Sequence, residues 1–301
     1  MAKVLVFSED TLLLRQMLAA AMTVEHEALL AVTLDGVDTS GAGDADRVVK
    51  LKGSTAWQED YAEGLADFVK QESIDLCLIA GSFRGKNIAA QTAAMLGAGL
   101  VSAAQSLKVG ADGVTTTRLI YGGLAVAEEK TSFPAFVTID PQTFAAHESA
   151  ADHAVEILEA ATGNAAIENI QNIPIEHEGV DIAAADRIVA VGRGLEKQED
   201  LKEINILAEK IKAEVGCSRG IAEDYHWLPL DRYVGISGKK VKPDIYLTVG
   251  ISGQVQHVAG IRDSRIIAAI DINENAPIFS VADYGIVGDF KEIVPLLLQN
   301  L

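Results

Sequence analysis

Residues 244–257, DIYLTVGISGQVQH, constrain this chain more than any other stretch. Ile245, Tyr246, Leu247, Thr248 and Val249 carry no charge and are β-branched, aromatic or aliphatic. That is the pattern of a short strand buried on both faces, which belongs to a parallel sheet covered by helices. Gly250 ends the strand, and Ser252-Gly253 opens a segment at 254–259 that can form a helix. A strand, a small-residue turn and a helix start leave backbone N–H groups free where a phosphate can sit. Gln256 and His257 add polar tips one turn on. Read alone, the stretch is equally an ordinary βα turn with a solvent-facing histidine, so the rest of the chain has to decide.

The same alternation recurs upstream. Residues 3–7, 28–34, 48–51, 74–80 and 100–104 read as strands, and 11–22, 60–70 and 85–96 as helices between them. The alternation predicts a mostly parallel sheet with helices on both faces. After Gly110 the pattern changes. Residues 114–121, 124–129 and 135–139 read as short antiparallel additions, with Gly122-Gly123 as a turn and Arg118 in a structural role at a sheet edge. Residues 146–161 are rich in alanine. Their histidines, His147 and His153, have no partner at metal spacing and are expected in solvent. A chain of 301 residues favours two domains, and Pro174 with the mixed pattern around it puts the boundary near residue 180. The expected fold class is therefore α/β in two domains. The first, 1–180, has a mostly parallel sheet with added antiparallel strands; the second, 181–301, has a parallel sheet.

In the second domain the small and charged residues gather at strand ends. Gly192-Arg193-Gly194 follows a strand at 187–191, and a helix is expected at 199–213. Ser218-Arg219-Gly220 closes a strand at 215–218. Residues 234–239 (VGISGK) form a third glycine turn and 252–257 a fourth. A strand at 264–271 ends on Asp271, where a carboxylate commonly receives ribose hydroxyls. Asp289-Phe290 leads into a last helix at 291–299. In an open α/β sheet these ends form the ligand crevice. The inventory is two arginines, hydroxyls, open N–H turns and one histidine, without a nucleophile–base pair or a metal cluster. It suits binding a diphosphate-bearing cofactor better than hydrolysis or group transfer.

Composition removes other classes. A net charge of −18 repels the phosphates of nucleic acid and fits an acidic face meeting a basic partner. Cys77 and Cys217 lie far apart without a CxxC neighbour, as reduced buried thiols do. Residues 81–86 (GSFRGK) fail as a phosphate loop, with three residues between the glycines and Asn87 after the lysine. No GxGxxG opens the first half. No export signal reads at the start and no run of 18 apolar residues occurs, so a cytoplasmic chain without membrane insertion is expected.

The ordered set IYLTVGISGQVQHVAG, IIAAID and APIFSVADYGIVGD, with VGRGL, CSRG and VGISGK, resembles the alpha subunit of electron transfer flavoproteins. GSFRGKNIAAQTAAML and TRLIYGGLAVAE extend the resemblance more loosely into the first half. It implies an FAD in the C-terminal domain, an N-terminal domain contacting a beta subunit, and a carrier of electrons rather than an enzyme by itself. The implied redox partners are an acyl-CoA dehydrogenase or enoyl-CoA reductase, as in fatty acid or amino acid metabolism. A second FAD or an AMP belongs mainly to the beta subunit, through which NADH would enter a bifurcating complex. By position, Arg193 and Ser218 would touch the cofactor and Arg219 would lie beside the isoalloxazine. Val234, Gly235, Ile236 and Ser237 would run along the flavin, with the Ser237 hydroxyl near N5. Ser252, Gly253, Gln254, Val255, Gln256 and His257 would hold the diphosphate and ribityl region, with His257 near the pyrimidine carbonyl. Asp271, Asp289 and Phe290 would sit at the adenosine end. His257 would donate either as neutral N–H or as imidazolium.

Three departures stand out. Ile236-Ser237 replaces the usual Gln-Thr, Asp271 replaces a more frequent Asn, and EDYHW at 223–227 replaces a shorter acidic-glycine segment. With GISGQVQH these variants resemble the branch serving crotonobetainyl-CoA-type reductases and nitrogen-fixation electron chains. That branch is compatible with a simple carrier and with a bifurcating complex. The competing reading, an NAD(P)-dependent doubly wound oxidoreductase, needs the glycine fingerprint that the chain lacks.

Overall fold

The computed structural model describes residues 1–54, 57–151, 153–163, 170–171, 173 and 181–301. The chain divides into two compact units, Met1–Ile173 and Pro174–Leu301. The boundary expected near residue 180 lies outside the described residues.

The first unit runs β1 (Ala2–Phe7), α1 (Thr11–Ala21), β2 (His26–Leu34), β3 (Arg47–Lys52), α2 (Ala62–Glu72), β4 (Leu76–Ala80), α3 (Phe83–Leu96) and β5 (Gly99–Val101). It continues with β6 (Ala104–Val109), β7 (Gly113–Ile120), β8 (Ala125–Ser132), β9 (Ala135–Ile139) and β10 (Val155–Glu159). Among the described residues one sheet has the order β10-β3-β2-β1-β4-β9-β5, with every neighbouring pair parallel. Side chains alternate across it: Val4 and Val6 of β1 pack with Leu14, Met17 and Leu18 of α1, whereas Leu5 and Phe7 pack with α2 and α3. Helices therefore cover both faces, as the alternation requires.

The antiparallel strands expected after Gly110 exist, as a three-stranded sheet of their own, β6-β7-β8. There Arg118 pairs with Glu129 across the β7–β8 ladder, its Nε 2.8 Å from the carboxylate, on the central strand of the three rather than at the edge expected. Residues 135–139 do not belong to that set. They form β9, an interior parallel strand between β4 and β5, fully buried on both faces. The short run AFVTI suits either placement, and burial against β4 decides it. Val155–Glu159 is likewise a strand, pairing parallel with β3 at the sheet edge. Its fastening is a charge pair: Arg47 holds Glu156 through two hydrogen bonds of 2.9 Å and also meets Glu72 at 2.9 Å. His147, expected in solvent, is partly exposed and pairs with Asp44, its Nε2 2.6 Å from the carboxylate. His153 Nε2 lies 3.2 Å from Thr39 Oγ1.

The second unit runs β11 (Arg187–Val191), α4 (Leu201–Lys210), β12 (Glu214–Cys217), β13 (Ile245–Val249), α5 (Val255–Ile261), β14 (Ile267–Asp271), β15 (Tyr284–Val287) and α6 (Phe290–Asn300). A single π turn, Gly220–Asp224, lies between β12 and β13. The sheet order is β12-β11-β13-β14-β15, all parallel. From β11 the chain winds first to β12, then reverses to β13, so the switch point falls between β11 and β13. Val189, Val191, Leu247 and Val249 face α4 and α6; Ile188, Ala190 and Tyr246 face the opposite side with Ile261 of α5. Cys77 and Cys217 are free and buried, as expected of reduced thiols.

The interior position of β9 carries a consequence. Phe136 is fully buried among α2, α3 and β4, so Phe136→Ala should remove about 4 kcal/mol of stability. Urea denaturation of the full chain measures it. An edge strand would lose far less.

Candidate cofactor crevice at the switch point

A cavity of about 560 Å³ opens in the second unit where β11, β12 and β13 end. Its floor is a contact between two backbones. Gly192 N donates to Val249 O and Gly194 N to Gly250 O, each at 3.0 Å. A Cβ on Gly194 would lie 2.6 Å from Gly250 Cα, and one on Gly192 only 2.2 Å from Gly250 O. Gly250 also has φ +63°. The glycines after both strands are thus required by close approach, and at Gly250 by conformation as well. They leave a cradle bounded by peptide groups rather than side chains.

The expected residues meet here in part. Arg193, Ser218 and Arg219 line the cavity from the β11 and β12 ends. Arg193 reaches the cleft with its stem over Gly220, where a Cβ would stand 2.8 Å from Arg193 Cδ. Arg219 is exposed, and its Nε lies 2.5 Å from Glu223 Oε2, which raises the guanidinium pKa further. Ile236 and Ser237 line the opposite side, with Ser237 Oγ 3.0 Å from the buried Tyr233 hydroxyl. Ile236 N donates to Gln256 O at 2.8 Å and ties that turn to α5. Ser252, Gln254, Gln256, His257 and Asp271 complete the lining.

Other expected residues stand behind or beside the wall. Val234 is fully buried in the core beneath it. Gly235 is buried and Val255 turns to solvent, 48% exposed, so neither lines the cavity. Gly253, at φ +79°, packs against Ile278, where a Cβ would lie 2.4 Å from Ile278 N. These residues shape the turns instead of lining them. Asp289 and Phe290 line a smaller cavity of about 130 Å³, which shares Gly194, Gly250 and Asp271 with the first. There Asp289 caps α6, accepting from Lys291 N at 2.9 Å. The reading by residue type overlooked Tyr233 and Asp224, which also line the large cavity. Asp224 closes the π turn and Tyr233 follows a short helical turn, and neither place carries a periodic signal. The glycines at 192, 194, 220 and 250 read as turn residues, and their repetition at strand ends is the sign in the sequence that they also line the site.

Like Tyr233, His257 is a buried polar group of the site. It is 6% exposed. Its Nε2 lies 3.1 Å from the Tyr246 hydroxyl, whereas Nδ1 is buried with no hydrogen-bond partner. Burial pushes its pKa down to about 4, and the Val234 carbonyl offsets this only in part. The resting ring is therefore neutral, and the imidazolium form considered from the sequence is disfavoured by desolvation. A buried polar atom lacking a partner, beside a cavity lined by peptide groups, exposed guanidinium groups and hydroxyls, fits a ligand that is anionic at one end and rich in acceptors at the other. A flavin dinucleotide has that chemistry. Among the described residues no group of three or more His, Cys, Asp or Glu could hold a metal ion.

Two outcomes follow. Gly250→Ala should cost about 3 kcal/mol, because it combines left-handed strain with a backbone clash, and calorimetry of the full chain reads the loss. For His257 the folded pKa lies below the ordinary 6.5, so the unfolded chain takes up the proton first. Stability is full above pH 6.5 and drains as pH falls toward 4, by about 3 kcal/mol in all. Urea midpoints between pH 4.5 and 7.5 should slope less in His257→Gln than in the parent.

Comparison with known proteins agrees with this geometry. The model of the electron transfer flavoprotein FAD-binding domain matches residues 181–262, and that of the electron transfer flavoprotein domain matches residues 15–165. The chain is 39% identical over 256 residues to the putative electron transfer flavoprotein subunit YdiR of Escherichia coli K12, covering 81% of this chain and 79% of that one. It is 38% identical to the protein FixB of Escherichia coli O7:K1, over 100% of this chain and 98% of the relative. FixB of Shigella flexneri is 37% identical over the same shares.

Proposed function

The chain belongs to the electron transfer flavoprotein family, as an alpha-type subunit of the FixB branch, and from that premise we propose that its switch-point crevice holds one FAD that relays electrons between redox partners. The observation that carries this reading is the pairing of a glycine-floored cradle with the unpartnered Nδ1 of a buried, neutral His257. Bound FAD supplies reversible electron transfer at its isoalloxazine ring. The chain supplies position and field. Arg219 lies at the rim, where its positive charge favours the anionic reduced ring, and His257 adds a neutral donor from the buried side. Ser237 offers a hydroxyl to the ring. Arg193, Ser252, Gln254 and Gln256 suit the diphosphate and ribityl region, and the smaller cavity with Asp271, Asp289 and Phe290 suits the adenosine end.

The N-terminal unit meets a beta-type subunit, which carries its own FAD or AMP. Electrons pass between an acyl-CoA dehydrogenase or enoyl-CoA reductase and a further acceptor, and NADH reaches the complex through the beta subunit if it bifurcates. The chain is a carrier component rather than an enzyme on its own. It works in the cytoplasm; among the described residues no helix is long and apolar enough to cross a membrane. Tight binding of a nicotinamide cofactor to a colourless complex would favour the oxidoreductase alternative.

Purified with its beta-type partner, the complex should be yellow. Flavin counting should give one FAD with AMP for a simple carrier and two FAD for a bifurcating one; a complex that stays colourless in the presence of FAD overturns the proposal. In the loaded complex, Arg219→Gln should lower the flavin potential by on the order of 100 mV, the equivalent of one lost charge-assisted contact. Dye-equilibrated redox titration reads the shift.

A further inference from the structure

Tyr246 does not line the cavity, yet it is hydrogen-bonded to His257, a buried group that does. Its side chain is fully buried on the α5 side of β13, and burial keeps its hydroxyl protonated. A hydroxyl buried without an acceptor is costly. Among the described residues its hydrogen-bond partner is His257 Nε2, at 3.1 Å. A neutral imidazole has one donor nitrogen and one acceptor nitrogen, so two arrangements compete. In one, Tyr246 O–H donates to Nε2 and the ring proton stays on Nδ1. Every proton of the pair then has an acceptor or faces the ligand side. In the other, Nε2–H donates to the tyrosine oxygen. The tyrosine proton is then stranded in the core, and Nδ1 turns a lone pair toward any carbonyl in front of it.

We propose that Tyr246 is a positioning residue: by donating to His257 Nε2 it confines the imidazole proton to Nδ1, so that the ring offers a bound flavin an N–H rather than a lone pair. The inference rests on the reading that FAD occupies the crevice, and it adds a residue whose action is indirect. The hydroxyl never touches the cofactor. It selects which face of the histidine dipole the cofactor meets, as a buried partner on one ring nitrogen does wherever a histidine must keep one tautomer. Because the ring stays neutral, the stabilisation of a reduced, anionic flavin comes from a fixed dipole, which needs no proton uptake when the electron arrives.

Tyr246→Phe removes one oxygen and keeps the ring that fills the core. The full chain, labelled with 15N-histidine, shows the tautomer directly in two-bond 1H–15N spectra; His257→Gln identifies the His257 signal among the six histidines. The parent should show Nδ1–H and Tyr246→Phe a shift toward Nε2–H. In the FAD-loaded complex, Tyr246→Phe should weaken stabilisation of the reduced flavin about tenfold, a fall of ~59 mV for one electron. Made on a His257→Gln background, the same substitution should leave the potential unchanged, because glutamine has no tautomer to set. A parent ring protonated on Nε2, a tautomer indifferent to Tyr246→Phe, or a tautomer that moves without any change in potential would each overturn the proposal. A parent complex that loads no FAD overturns the underlying flavin reading instead, a failure seen before any variant is made.

Discussion

Gly194 and Gly250 lie so close that neither can carry a side chain, and the geometry of the crevice depends on that contact. Two parallel strands that diverge to opposite sides of a sheet leave a gap at their carboxyl ends. Side chains would ordinarily fill it. Here the glycines after β11 and β13 let the backbones meet, so the gap becomes a shallow floor of peptide groups. The walls then come from what the next few residues carry: Arg193 over Gly220, Ser218 and Arg219 after β12, and the 252–257 segment after β13.

The charges around this floor are sorted by solvent. The arginines reach it from the exposed rim, where water lowers the cost of their charge, and Arg219 keeps a carboxylate partner in Glu223. On the buried side the donor is a neutral imidazole, since desolvation there opposes a cation. A cofactor that gains negative charge on reduction would thus meet a solvent-exposed full charge on one side and a buried dipole on the other. The second is the more constrained: His257 is held by β13 through Tyr246 and by α5 through its own backbone.

The second unit was largely legible before its structure. Short apolar runs at 187–191, 215–218, 245–249 and 264–271 marked four of the five parallel strands, and the polar residues just beyond them marked much of the cavity lining; the fifth strand, Tyr284–Val287, is exposed along its length and no buried run announces it. The misplacements share one cause. AFVTI at 135–139 carries an identical local pattern whether it extends an antiparallel set or fills an interior parallel slot, and only packing against β4 distinguishes them. Val155–Glu159 has too few alternating residues to announce a strand, and Arg47, more than a hundred positions away in sequence, secures it. Val234, Gly235, Gly253 and Val255 sit within motifs whose neighbours do line the cavity, but the turn geometry points them elsewhere.

The sequence by itself determined the α/β class, the crevice at the strand ends and the chemical types gathered there, because strand burial, glycine placement and residue polarity are local properties. Tertiary structure decided the rest. It set which glycines touch, which of the motif residues face the cavity, that Tyr233 and Asp224 join them, and that His257 is neutral and tied to Tyr246. Those outcomes depend on distance and dielectric between residues apart in the chain, and neither quantity is written in the order of the amino acids.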